Sequence, residues 1–167
     1  MQPSDHSPRA GASGSLRRVR ANPGPQPANP GYRTVTVDRD PAGVLHARNV
    51  RDGTLAVGHG DDGGFTPTEL LLAAIAACTA ADVDALTTRR AEPDTFAVQV
   101  EAIKVRDDDG NRLSDVTVTF RVSFPSGTDG DAARAVLPEA VRRSHDRLCT
   151  VGRTVELATP IETRIEG

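Results

Sequence analysis

Aromatic side chains are scarce in this sequence: they make up 3% of 167 residues, with four Phe, one Tyr and no Trp. Proteins that bind single-stranded nucleic acid stack bases on such rings, and duplex-binding proteins carry clustered basic residues. Basic residues are not in excess here, since the formal net charge is −3 at pH 7. We therefore expect no nucleic-acid partner, and a core built from Val, Leu, Ile and Ala.

Cysteine is also scarce, with two residues in the chain. Two cysteines are too few for the disulfide-stapled scaffold of a small secreted protein. No apolar signal-peptide core follows Met1, so we expect a cytoplasmic protein. The unbroken apolar run from Leu70 to Cys78 has about nine residues, against the ~20 that a membrane span needs, so we expect no membrane partner.

The first 31 residues differ in composition from the rest of the chain. They are rich in Pro, Gly, Ser and Arg and hold almost no large apolar side chain. Such a segment cannot bury enough surface to fold. We expect a disordered N-terminal tail over residues 1–31 and one folded domain over residues 32–167.

One long helix is predicted over Thr66–Arg90. Thr66 is a favourable N-cap, and Pro67 suits the first helical position. Glu69 stands three residues after Thr66, which is the spacing of a capping box. The sequence therefore defines the start of this helix sharply.

The same helix is predicted to be buried over its first turns, because the run Leu70–Cys78 is apolar all round. Asp82 and Asp84 bring charge back, which predicts that the far end reaches solvent. A domain of this size has little surface with which to cover so long an apolar helix. We therefore expect an obligate homodimer.

Alternating apolar and polar residues predict strands on both sides of the helix. The predicted strands are Arg33–Val37, Val44–Ala47, Leu55–Val57, Phe96–Val105 and Leu113–Phe124. The last two form a hairpin over Asp107–Asn111, with a bulge near Ala102 where the alternation changes phase. One apolar and one polar face are typical of antiparallel sheet.

The C-terminal part is predicted to continue with a helix and two short strands. These are a helix over Asp129–Leu148 split by Pro138, a strand over Val155–Leu157, and a last strand over Pro160–Ile165 with Ile161 and Ile165 facing inward. Helices on one side of an antiparallel sheet indicate an α+β fold.

The two cysteines, Cys78 and Cys149, are the first candidates for chemistry. A free cysteine in the middle of an apolar helix is often a small buried hydrophobe. A reactive thiolate at Cys78 would need a positive charge from elsewhere in the fold, because the helix dipole acts only within the first turn. In a cytoplasmic chain, a pair of thiols is more often catalytic or redox-active than structural.

His145 precedes Cys149 by one helical turn and is a candidate base or metal ligand. An exposed histidine on an amphipathic helix is the more common case. A zinc site would need a fourth ligand at a recognisable spacing, and the sequence has no CxxC motif. We expect no metal and no cofactor.

Three further residues are candidates for the site. Glu69 is an ambiguous candidate, and its capping-box role explains it fully. Arg39 and Arg51 lie in predicted turns before the helix. Either guanidinium would reach a buried thiol only if its turn folds over the helix start.

The motif TPTELLLAAIAACTAADV, with SHDRLCTVGRTVEL about 70 residues later and a final PIETRIE, resembles the OsmC/Ohr family. The resemblance covers residues 32–167. It implies an intertwined homodimer in which each chain has a curved antiparallel sheet and two central helices. It also implies reduction of organic hydroperoxides, with Cys78 as the peroxidatic thiol and Cys149 as the resolving one. A dithiol such as a lipoyl group would then restore both thiols.

The sequence departs from the family's peroxidases at one position. Those proteins carry a glutamate ten residues before the first cysteine, paired with an arginine of the early strands. Thr68 stands there in this chain, and the acid is one residue later at Glu69, a rotation of about 100° on a helix.

Three functions therefore stay open. The first is a thiol peroxidase. The second is a module that binds a small apolar or acyl ligand in the dimer cleft without peroxidase activity. The third, a cysteine hydrolase using Cys78 and His145, is the weakest, because no oxyanion loop is recognisable.

Overall fold

The structure is a computed structural model that describes residues 30–166. These residues belong to two compact units divided after Leu55. Of the tail predicted to be disordered, residues 1–29 lie outside the described residues. The α+β class and the antiparallel pairing are confirmed, with the strands divided between a three-stranded and a two-stranded sheet.

The first unit contains an antiparallel sheet in the order β1-β2-β3, whose last strand crosses the unit boundary. Its strands are β1 Val35–Arg39, β2 Leu45–Asn49 and β3 Thr54–Val57. All three were predicted, with bounds displaced by one or two residues. Arg39, predicted in a turn, is the last residue of β1 and pairs with Leu45.

The two faces of this sheet differ in chemistry because side chains alternate along a strand. Arg39 shares one face with Val35 and Val37, both of which are more than half exposed. The opposite face is polar, and there Arg48 forms an ion pair with Asp38 at 2.9 Å. The apolar face therefore carries a guanidinium at one end.

The second unit holds the three helices and a long hairpin. Its elements are α1 Pro67–Thr87, β4 Thr95–Asp107, β5 Gly110–Ser123, α2 Thr128–Arg143, a π-helical turn Ser144–Leu148, and α3 Thr150–Glu156. The hairpin and its bulge are confirmed, since the β4–β5 register shifts between Glu101 and Ile103. Helix α1 contacts β4, α2, the π-helical turn and α3, and thus forms the centre of this unit.

The start of α1 is as predicted. The Thr66 backbone N–H donates to Glu69 Oε2 at 2.8 Å, and the Glu69 N–H donates to Thr66 Oγ1 at 3.3 Å. Both halves of the capping box are therefore formed, and two backbone donors of the first turn are satisfied.

The predicted burial of α1 is wrong for the single chain. Its buried residues are Ile75, Thr79, Val83 and Thr87, one stripe that faces α2, whereas Leu71 in the apolar run is 39% exposed. The far end, predicted to reach solvent, is the better buried one, with Val83 and Thr87 at 0% exposure. The elements that contact α1 within the single chain leave part of its apolar run uncovered.

By length and composition alone, α1 is apolar enough to cross a membrane. Of its 18 most apolar consecutive residues, 22% are buried within the chain. Core helices of proteins outside membranes meet the same criterion, so this is weak evidence for a span.

Three predictions for the C-terminal part are wrong. Helix α2 runs through Pro138. The proline costs the helix one hydrogen bond, but the burial of Ala133 and Ala140 on either side holds the helix together. The predicted strand Val155–Leu157 falls mostly within α3. The predicted strand Pro160–Ile165 has no regular structure, and Ile161 and Ile165 are 92% and 97% exposed.

Candidate active site

Cys149 lies at the junction between the π-helical turn and α3. Its backbone is extended, with φ −64° and ψ 98°, which ends one helix and allows the next to begin. The backbone N–H of Cys149 donates to the Ser144 carbonyl, and its Sγ accepts from the Gly152 N–H at 3.2 Å. The side chain is 1% exposed. Cys149 is therefore held on both sides, as the end of one turn and the N-cap of the next.

Cys78 lies on α1 next to this buried thiol. Both cysteines are free, and Cys78 is half-buried. Burial raises the pKa of the Cys149 thiol; the Gly152 N–H acts in the opposite direction, and the neighbouring Cys78 and the Asp82 carboxylate raise it further. The structure thus brings together one partly accessible thiol and one buried thiol that stays protonated at neutral pH.

Asp82 joins the helix of Cys78 to the segment of Cys149. It stands one helical turn beyond Cys78 on α1, and its Oδ2 accepts a hydrogen bond from Ser144 Oγ at 2.9 Å. Ser144 is 1% exposed and begins the π-helical turn. A buried hydroxyl must find an acceptor, and this one finds it across two elements.

His145 does not face the thiols. Its imidazole Nδ1 lies 3.3 Å from Glu156 Oε1 of α3, and the side chain is 68% exposed. Within residues 30–166, no group of three His, Cys, Asp or Glu side chains is arranged to hold a metal ion. The exposed position of His145 removes the base that a cysteine hydrolase would need.

Glu69 is engaged at the helix start. Its carboxylate accepts from both the N–H and the hydroxyl of Thr66, and these hydrogen bonds hold the pKa of Glu69 below its usual value. No ion pair to Glu69 occurs in the described part of the chain. The residue therefore serves as a cap here, as one of the two sequence interpretations holds.

Glu69 also stands at the border of an open groove of about 520 Å³ between α1 and β4. The other lining residues are apolar: Phe65, Leu72, Ala73, Ala76, Ala77, Ala80, Phe96, Val98 and Val100. The lining residues of α1 share one helix face, and those of β4 share one strand face, while Phe65 precedes α1. Cys78 does not line this groove, which lies on another side of α1.

The two candidate arginines belong to the first unit, which is described by itself. Arg39 lies at the end of β1 on the apolar face, with its guanidinium near Gly43. Arg51 lies in the exposed turn between β2 and β3, where its backbone N–H donates to Asn49 Oδ1. Neither guanidinium has a hydrogen bond or ion pair to residues 30–166. Both are free to pair elsewhere.

Comparison with known proteins identifies the family. The sequence model described as "OsmC-like protein" matches residues 58–164, which is more than half of the chain. The chain belongs to the OsmC-like protein family. The resemblance noted in the sequence is thereby confirmed.

Three relatives of this OsmC-like protein illustrate the likeness. An uncharacterized protein of Mycobacterium tuberculosis is 32% identical over 119 residues, which cover 71% of this chain and 85% of the relative. The crystal structure of an OsmC-like protein from Mycoplasma pneumoniae has a TM-score of 0.61 at 15% identity, over 77% of this chain and 89% of that one. An organic hydroperoxide resistance protein OsmC from Legionella pneumophila has a TM-score of 0.51 at 16% identity, over 73% and 88%. The structural likenesses show a shared fold.

Asp82 and Ser144 of this OsmC-like protein were not recognised as site residues from the sequence. Asp82 was interpreted as a solvent-facing charge at the end of α1. A signal was nevertheless present, because Asp82 stands four residues after Cys78 and so shares its helix face. Nothing in the sequence marks Ser144 as its partner, since the two are 62 residues apart.

We expect the stabilising effect of Glu69 to depend on pH. Because its pKa is lowered in the folded chain, its stabilisation is complete above the ordinary pKa of a carboxyl group and is lost as the pH falls through the lowered value. Glu69→Gln should therefore lower the melting temperature near neutral pH and match the wild type at strongly acidic pH. Thermal unfolding followed by circular dichroism tests this. Glu139→Gln, at an exposed ion pair on α2, is the control.

Proposed function

We propose that this protein reduces organic hydroperoxides through a cysteine pair, in the cytoplasm. The Cys78 thiolate attacks the distal oxygen of the hydroperoxide, the O–O bond breaks, and the alcohol leaves with a proton. Cys78 then carries a sulfenic acid. The Cys149 thiol condenses with it to give a disulfide and water. A dithiol such as a lipoyl group reduces that disulfide by exchange.

The observation that carries this proposal is the pairing of the two thiols. Cys78 and Cys149 are 71 positions apart in the sequence, yet Cys78 is a neighbour of the buried Cys149 thiol and, after burial itself, adds to the rise in its pKa. Their unequal exposure supports the order of events, because Cys78 is accessible and Cys149 is buried. Membership of the OsmC-like family, and relatives described as organic hydroperoxide resistance proteins, support the substrate class.

Mass spectrometry after one equivalent of cumene hydroperoxide tests the pairing. The expected product is one intramolecular disulfide between Cys78 and Cys149, with a mass loss of two hydrogens. Cys149→Ser should instead accumulate sulfenic acid at Cys78, or its over-oxidised forms. Two free thiols beside unconsumed hydroperoxide would exclude the peroxidase.

Arg39 is the better candidate for the cation that holds the Cys78 thiolate. It lies on the apolar face of the β1–β3 sheet and its guanidinium has no partner among residues 30–166, whereas Arg51 lies in a solvent-exposed turn. Apolar sheet faces are commonly covered by another protein surface. A surface that covered this face would also bury the Arg39 guanidinium. Thr68 lies where a family glutamate would orient this arginine, so we expect a weaker thiolate than in relatives that keep the acid.

We also propose a homodimer whose interface includes α1. The support is the uncovered apolar surface: 22% of the most apolar window of α1 is buried in one chain, and the groove beside it is lined by aliphatic and aromatic side chains. Light scattering at micromolar concentration should give the mass of two chains. Ala76→Arg, in the groove, should shift it toward one chain. Asp84→Arg, on an exposed part of α1, should leave the dimer intact; a monomeric wild type would contradict the proposal.

The second candidate is a module that binds a small apolar or acyl ligand. The groove between α1 and β4 favours it, since about 520 Å³ accommodates an acyl chain and the lining is predominantly apolar. Titration with a fluorescent fatty acid, in the wild type and in Ala76→Trp, tests this. Binding that the groove variant abolishes, in a protein that leaves hydroperoxide intact, would favour this function.

A further inference from the structure

The connection between Asp82 and Ser144 links the two halves of the thiol pair. Ser144 Oγ donates to Asp82 Oδ2 at 2.9 Å, and the Ser144 carbonyl accepts the N–H of Cys149 at 2.9 Å. One residue therefore joins the α1 carboxylate to the backbone of the buried cysteine. Ser144 itself is 1% exposed, so water does not compete for these bonds.

The position of Ser144 makes it the origin of the π-helical turn. Its N–H still donates into α2, to the carbonyls of Ala140 and Val141, while its own carbonyl begins the wider i→i−5 pattern. A π-helical turn is intrinsically rare and is retained where a local interaction favours it. The bond to Asp82 is such an interaction, because it fixes the side chain of the first residue of the turn.

We propose that Asp82 is a positioning residue for Cys149: through Ser144 it holds the π-helical turn so that Cys149 stays next to Cys78. The inference rests on the proposed redox pairing and concerns its second step. Asp82 controls the rate at which Cys149 closes the disulfide.

Asp82 acts on Cys149 by its charge as well as by its hydrogen bond. Burial is the main cause of the raised pKa of Cys149; the Gly152 N–H of α3 lowers this pKa, and Cys78 and then Asp82 of α1 add to the rise. His145, on the π-helical turn itself, pairs with Glu156 at the surface. The Asp82 carboxylate therefore positions Cys149 through Ser144 and also adds to the rise in the pKa of Cys149.

The two effects separate in two variants. Ser144→Ala breaks the anchor and keeps the charge. Asp82→Asn removes the charge and keeps an amide oxygen that accepts the Ser144 hydroxyl. Thr87→Val is the matched control, because Thr87 is also fully buried on α1 but its hydroxyl bonds only within that helix.

The assay uses methyl methanethiosulfonate, so that it does not depend on hydroperoxide activity. The Cys78 thiolate attacks the methylthio sulfur, a Cys78–SCH₃ disulfide forms, and methanesulfinate leaves. The Cys149 thiolate then attacks the Cys78 sulfur, the new disulfide closes, and methanethiolate leaves and takes up a proton. Acid quenching and mass spectrometry follow the methylthio adduct and the closed disulfide separately.

We expect Ser144→Ala to slow closure about tenfold, the effect of one lost hydrogen bond, with adduct formation at the wild-type rate. Asp82→Asn should move the pH midpoint of closure to lower pH, which a purely structural role would not do. Thr87→Val should leave both steps unchanged.

Wild-type closure in Ser144→Ala, or equal slowing in Thr87→Val, would overturn the proposal. If Ser144→Ala does not fold, Asp82→Ala, which removes the acceptor of the Ser144 hydroxyl, should slow closure, and wild-type closure in that variant overturns the proposal. If the Cys78–Cys149 disulfide closes as described but the protein does not turn over hydroperoxide, this inference stands and the peroxidase function is excluded.

Discussion

Cys78→Ser should lower the dihydrolipoamide-dependent consumption of cumene hydroperoxide by at least about a thousandfold, because a serine hydroxyl is not ionised at neutral pH and cannot accept the peroxide oxygen. The loss should appear in kcat/KM, since the thiolate reacts before any reductant binds. Peroxide consumption measured with a colorimetric assay gives the rate. The variant should keep the wild-type melting temperature within a few degrees, which separates chemistry from folding.

Cys149→Ser should give a different kinetic pattern. The first turnover at Cys78 should proceed at the wild-type rate, while steady turnover with dihydrolipoamide should fall, because the sulfenic acid lacks its buried partner. A single-turnover burst of one hydroperoxide per chain distinguishes this variant from Cys78→Ser. Equal loss of the burst in both variants would contradict the assignment of roles.

Val83→Asp should destabilise the second unit by at least about 3 kcal/mol, since it places a charge without a partner at a position that is 0% exposed. Val83 lies on the buried stripe of α1, where a carboxylate would be shielded from water. We expect the melting temperature to fall by roughly 10 °C or more, measured by calorimetry.

The same substitution at an exposed valine is the control for this effect. Val155 on α3 is 47% exposed, and Val155→Asp should change stability by less than about 1 kcal/mol. If both variants lost the same stability, the buried stripe of α1 would not be the core of this unit.

The sequence predicted best those elements that are defined by local signals. The capping box fixed the start of α1 because its hydrogen bonds join residues three apart. The hairpin β4–β5 and its bulge followed from alternation and its change of phase. The strand predicted at Pro160–Ile165 was wrong, since an alternating segment forms a strand only if another strand offers its edge.

The site was predictable in its cysteines and only partly in their surroundings. Resemblance named Cys78 and Cys149, and the structure brings them together. Glu69 was recognised as a cap for a local reason. The Asp82–Ser144 bond was not, because it depends on how α1 packs against the turn after α2, a contact between segments far apart in the chain.

The π-helical turn has a consequence for chain length. Residues 144–148 contain one residue more than an α-helical path over the same rise would use. The same residues wound as ordinary α-helix would carry the chain after them about one residue, roughly 100°, further around the helix axis. Cys149 would still exist and the helices would still form, but its sulfur would point away from α1. Spacing between α2 and the second cysteine is therefore as much a requirement for the thiol pair as the cysteine itself.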